Sequence, residues 1–113
     1  MKVVASASDF SSLVTAGRLL EQTGGFPPSL DASTRQLGRG ERVKSWELAV
    51  KLYQCNLAGG CGPRSMHTLS WCAEMGCTPN SEYRAALMQS LPPREYAAVL
   101  AYLNWIQSLK RSS

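Results

Sequence analysis

The alternation of apolar and polar positions follows the helical period along most of the chain and is densest across 41–57. There Val43, Trp46, Val50, Tyr53 and Leu57 recur in steps of three and four, and Leu48, Leu52 and Cys55 form a second line around the same helix. Glu47, Lys51 and Gln54 are left as a narrow polar face. A helix apolar over most of its circumference is buried between neighbours. The pattern therefore predicts a central helix over about 41–58, with the rest of the chain arranged around it. Glu47 and Lys51, four apart in the favourable order, are expected to form an ion pair on its surface.

Upstream, Asp9 stands where it can cap a helix carrying Phe10, Leu13, Val14, Gly17 and Leu20, which Gly24 and Gly25 end. Phe26-Pro27-Pro28 reads as a stiff extended link, 29–37 as a short helix with Leu30, Ala32 and Leu37 inward, and Gly38-Arg39-Gly40 as a hinge. Downstream, Gly59 and Gly60 end the central helix, and Pro63 opens a helix over 63–75. That helix is expected to turn Met66, Leu69, Cys72 and Ala73 inward, with His67, Trp71 and Met75 off that face and Gly76 as its cap. Thr78-Pro79 starts a helix to about Ser90 that points Tyr83, Ala86, Leu87 and Leu91 inward, and Leu91-Pro92-Pro93 breaks it. The last helix, over 93–110, carries the stripe Tyr96, Val99, Leu100, Leu103 and Ile106, with Lys110 and Arg111 at its negative dipole end. Alternation supports no strand beyond 3–5. The expected fold is all-α: a single domain over 1–113, frayed over 1–8, built as a compact bundle of about five short helices with mostly antiparallel neighbours.

The 113 residues suffice to bury one core without disulfides, and 44% apolar with 18% charged residues is an ordinary globular composition. The net charge of +4 leans toward anionic partners but lacks the dense basic clustering of most nucleic-acid binders. The first ten residues are too weakly apolar for a signal peptide, and no apolar run is long enough to span a bilayer. A cytoplasmic protein without a membrane partner is the resulting expectation.

Chemistry-bearing residues bunch in the middle of the chain. Cys55, Cys61, Cys72 and Cys77 with His67 between them are the residue types zinc prefers, yet the intervals do not form the close pairs of structural zinc sites. Ordinary reduced thiols and no cofactor are expected, with zinc on these five residues as one alternative. Disulfides are the other, as the nested pairs Cys55 with Cys77 or Cys61 with Cys72. His67 has no evident acidic partner beside a nucleophile, GGCGPRS lacks the ending of a phosphate loop, and the acidic residues are scattered. No catalytic constellation follows, so the chain reads as non-enzymatic, with no small-molecule substrate.

Two binding readings remain. The apolar arc of the last helix extends past its stripe to Tyr102, Trp105 and Leu109, and Trp71 and Met75 show a similar surplus. These five residues are the expected contact surface for another protein or a second copy of the chain. The alternative is a helix-turn-helix across Gly76-Cys77-Thr78, presenting Asn80, Ser81 and Arg84 to DNA with help from Arg39, Arg42 and Lys44. Glu82, where that motif wants an apolar residue, counts against it. An adaptor or accessory protein is the leading expectation.

Overall fold

Among the described residues six α-helices form the frame: α1 Phe10–Thr23, α2 Pro28–Thr34, α3 Arg39–Ala58, α4 Met66–Met75, α5 Tyr83–Ser90 and α6 Pro93–Ser112. The computed structural model describes residues 10–58, 61–62, 65–77 and 82–112. The strand expected over 3–5, the fraying of 1–8, the Asp9 cap and the glycine stop at 59–60 lie outside them. The described residues are all-α, as the periodicity predicts, and contain no strand.

The central helix is where the pattern put it, but it starts earlier. Gly38-Arg39-Gly40 is no hinge: α3 begins at Arg39, and the Glu41 carboxylate accepts the Gly38 backbone N–H at 3.1 Å. That is the reaching-back half of a capping box, which gives an otherwise orphaned donor a partner. Along α3, Trp46, Leu48, Ala49, Val50, Leu52 and Cys55 are all buried. Its polar strip is used differently from expectation. Glu47 pairs across helices with Arg18 at 2.9 Å rather than along its own helix with Lys51.

α1 runs antiparallel to α3 and is locked to it by one indole. The Trp46 Nε1–H donates to the Leu13 carbonyl at 2.9 Å, and the ring lies directly over Gly17. A Cβ at position 17 would fall inside the van der Waals envelope of that ring. Gly17 is thus required by a close approach, and its place on the apolar face of α1 is explained by what it lets in. Gly24, with φ +68°, ends the helix in the left-handed region, as expected of a glycine stop.

Phe26 is the residue the pattern undervalues. It sits buried in the link to α2 and gathers three aromatic neighbours, Trp105 at 5.3 Å, Tyr102 at 5.5 Å and Trp46 at 5.6 Å between ring centres. Pro27, extended at φ −59° and ψ 148°, holds it there and precedes the proline at the start of α2. Tilted and edge-on rings at this spacing add attraction beyond the area they bury.

α6 packs along α3 in the same direction. Trp46 meets Tyr102 and Trp105, and about two turns further along Tyr53 and Leu57 share a cleft with Gln107 and Lys110. The helices that are neighbours in space are therefore not all antiparallel. α4 and α5 pair as a hairpin in the stretch of chain between these two long helices.

Candidate functional site

The surplus arc expected on the last helix is mostly interior. Tyr102 is only 1% exposed, inside the aromatic cluster, while Trp105 and Leu109 are half-buried against the core. The cover comes from Phe26 and α2, because the link between the first two helices folds back over α6. Tyr102 is withdrawn from the contact surface on this ground. Trp71 is withdrawn for a related reason: it is buried at 8% exposure on the inner side of α4.

That burial reverses the expected orientation of α4. The inner face is Thr68, Trp71 and Cys72, and Met66, Leu69 and Ala73 point to solvent. Turning the indole inward removes more apolar surface from water than turning a methionine inward. The hydroxyl of Thr68 is satisfied in place, donating to the Gly62 carbonyl at 3.1 Å and lying 3.0 Å from the Ser65 hydroxyl. Ser65 is the N-cap of α4, and Gly76, at φ +79°, closes the other end with its N–H on the Cys72 carbonyl. The helix thus starts three residues later than 63–75 predicts, and Pro63 lies outside the described residues. α5 likewise starts at Tyr83, with Glu82 as its extended N-cap; Thr78 and Pro79 also lie outside.

The four cysteines pair within short stretches, Cys55 with Cys61 and Cys72 with Cys77. Neither the reduced thiols nor the nested pairs expected from the sequence are present. The second pair is a local closure: Cys72 is inward as expected, and the left-handed turn at Gly76 returns Cys77 to a Cα–Cα distance of 4.5 Å from it. With all four sulfurs so engaged, no group of three or more His, Cys, Asp or Glu is gathered for a metal among the described residues. A further tie joins the hairpin to the preceding turn: the Tyr83 N–H donates to the Cys61 carbonyl at 2.7 Å.

On this pinned frame the exposed surface is unusually rich in methionine. Met66, Met75 and Met88 are 79%, 44% and 55% exposed, and Leu69 is 45% exposed. Apart from Met1, which lies outside the described residues, these are all the methionines of the chain. Beside them, α3, α4 and α5 enclose an open cleft of about 340 Å³. Lys51 contributes from α3, Met66, His67, Trp71 and Glu74 from α4, and Tyr83 from α5. His67 stacks on Tyr83 with ring centres 5.5 Å apart, which gives the single histidine an aromatic neighbour in place of a catalytic one.

The nucleic-acid residues fare unevenly. Arg42 is spent internally: it pairs with Glu21 at 2.7 Å and donates to the Leu37 carbonyl at 2.9 Å. Arg39 and Lys44 are exposed on α3, and Arg84 is exposed on α5. Asn80 and Ser81 lie outside the described residues.

Burial raises the Tyr83 phenol to about 12, and the Glu74 carboxylate adds to the shift. Tyr102 is also raised, by burial first, against the lowering effect of its hydrogen bond with Thr34. A phenol whose folded value is raised costs nothing while it is protonated in both states. Stability should therefore hold below pH 10 as far as these groups are concerned, then fall as pH climbs from 10 toward about 12. For Tyr83 the full loss is roughly 2–3 kcal/mol. Urea unfolding at stepped pH checks this, and Tyr83→Phe should flatten the alkaline decline.

No helix among the described residues is long and apolar enough to cross a membrane. Set against protein families, curated proteins and solved structures, the chain finds no match in any of the three.

Proposed function

We propose that this is a small non-enzymatic adaptor that binds another protein through the exposed apolar side chains of the α4–α5 hairpin, Met66, Leu69, Met75 and Met88. The observation that carries the reading is the placement of every methionine but Met1 on the outside of one hairpin. Methionine is flexible and polarisable, and it is favoured where a surface must adapt to the shape of a partner. Large apolar side chains left in water on one supersecondary unit mark an interaction site more often than chance exposure does. Met75 is kept from the surface expected on sequence grounds; the centre moves from the last helix to the hairpin. Two disulfides favour an oxidising environment over the cytoplasm expected from the sequence. DNA binding is the weaker reading, since Arg42, one of its basic residues, is engaged within the fold.

Photo-methionine incorporation in the native host tests the reading directly, because the reactive group enters at 66, 75 and 88 as well as at 1. Crosslinks from the hairpin to one partner protein are expected. Met66→Glu combined with Leu69→Glu, two exposed changes with little effect on folding, should weaken that partner's binding at least tenfold. A folded double variant that binds as before would sink the proposal. Hairpin crosslinks only to a second copy would make the protein a dimer rather than an adaptor.

A further inference from the structure

The sulfur atoms of the chain fall into two groups with different exposure to an oxidant. All four cysteines are spent in the bonds of Cys55 with Cys61 and Cys72 with Cys77, so no thiol is left to react. The thioethers are the reverse. Among the described residues the buried core contains no methionine, and Met66, Met75 and Met88 all stand on the surface of α4 and α5. The rings Trp46, Trp71, Tyr83 and Tyr102 are withdrawn into the interior. An oxidant that reaches the folded protein therefore meets the hairpin methionines first.

Their local settings show what oxidation would cost the fold. Met66 is the first residue of α4 and Met75 the last, and Met88 faces outward on α5 beside the inward Leu87. None of the three fills space in the core. Methionine oxidation disrupts packing where the thioether is part of a core or an interface; here the core is spared and only the exposed surface changes.

We infer that the hairpin methionines are an oxidation site through which a peroxide releases the bound partner while the fold stays intact. The step is a two-electron oxygen transfer. The thioether sulfur attacks the peroxide, an S–O bond forms as the O–O bond breaks, and the second oxygen leaves as water with both protons. The sulfur is oxidised to a sulfoxide and the peroxide is reduced. A flexible apolar contact becomes a polar acceptor, and a partner that covers it must bury that oxygen without a donor placed to meet it. Met66 is the most exposed of the three, then Met88, then Met75, and they should oxidise in that order. This inference rests on the adaptor reading and adds its regulation.

Peptide mass mapping of the purified protein, disulfides intact, after graded hydrogen peroxide should find sulfoxide at 66, 88 and 75 in that order. The midpoint of thermal unfolding should move by less than about 5 °C. Release is read in the native host through a benzophenone side chain placed at Leu69, which is exposed one turn after Met66 and cannot form a sulfoxide. Peroxide should lower its photo-crosslinked adduct about fivefold or more. The triple variant Met66→Leu, Met75→Leu and Met88→Leu keeps the apolar surface at similar volume without the thioethers, and its adduct should be unchanged by peroxide. Equal loss of adduct in the triple variant, no sulfoxide at these positions, or a larger fall in the thermal midpoint would each overturn the inference. An adduct that forms but ignores peroxide removes the release and leaves the adaptor reading standing. No adduct even before peroxide removes the adaptor reading, and the release with it.

Discussion

Trp46→Ala should lower the unfolding free energy by about 4 kcal/mol and the midpoint of thermal unfolding by roughly 15 °C. The indole is 2% exposed, donates to the Leu13 carbonyl, and borders Phe26, Tyr102 and Trp105, so its removal opens a cavity where α1, α3, α6 and the Phe26 link meet. The partner residue supplies the sharper test. In an ordinary helix interior Gly→Ala gains roughly 1 kcal/mol, but Gly17→Ala drives a methyl group into the Trp46 ring and should instead cost about 1–3 kcal/mol. In the Trp46→Ala background the same methyl enters vacated space, and Gly17→Ala should become stabilising. A reversal of sign across this double-mutant cycle is the signature of direct contact. A stabilised Gly17→Ala single variant would show that the indole is not seated on α1.

Reduction is the second large effect. Each disulfide closes a loop of only a few residues, for which chain entropy assigns about 2 kcal/mol. Reducing both should therefore remove roughly 4–5 kcal/mol, a large share of the 5–15 kcal/mol by which domains are stable. Denaturant unfolding with and without a phosphine reductant measures the difference. Hydrogen exchange localises it: amides of α4 and α5 should lose protection first, while the buried α3–α6 interface keeps its own. Peptide mapping of the oxidised protein should recover Cys55 with Cys61 and Cys72 with Cys77. Recovery of Cys55 with Cys77 would refute the pairing.

Most of the helices were legible in the sequence because they rest on local rules. The 3.6-residue period located α1, α3 and α6, and Gly24 and Gly76 ended helices where glycine was expected to. What escaped were matters of orientation. The apolar positions of α4 fit two faces about equally well, and the choice was made by tertiary terms: where the Trp71 ring finds cover and where Thr68 finds the Gly62 carbonyl. The expectation of Trp71 on the contact surface follows from that ambiguity. Tyr102 looks surplus in the sequence because Phe26, lone between two glycines and two prolines, has the pattern of a linker, whereas it is the lid over α6. The cysteine pairing turns on two short local closures, which the spacing alone does not separate from nested pairs. Glu47 shows the limit of helix-local electrostatics, since the i,i+4 rule names a partner within the helix and is silent on Arg18 across from it.

The parallel course of α3 and α6 has a consequence for how the chain reaches this fold. Trp46 and Tyr102 are more than fifty residues apart in sequence, and two helices pointing the same way cannot be joined by a tight turn. Their contact must wait for a long loop to close, which costs roughly 3–4 kcal/mol of chain entropy on length alone. The α1–α3 and α4–α5 pairs have no such delay, being close in sequence. They are expected to be the early structure, with burial of the aromatic cluster as the slow event that commits the chain. The hairpin that carries the exposed methionines would then form before the core it sits on, and its apolar face would be open to a partner even while the protein is still folding.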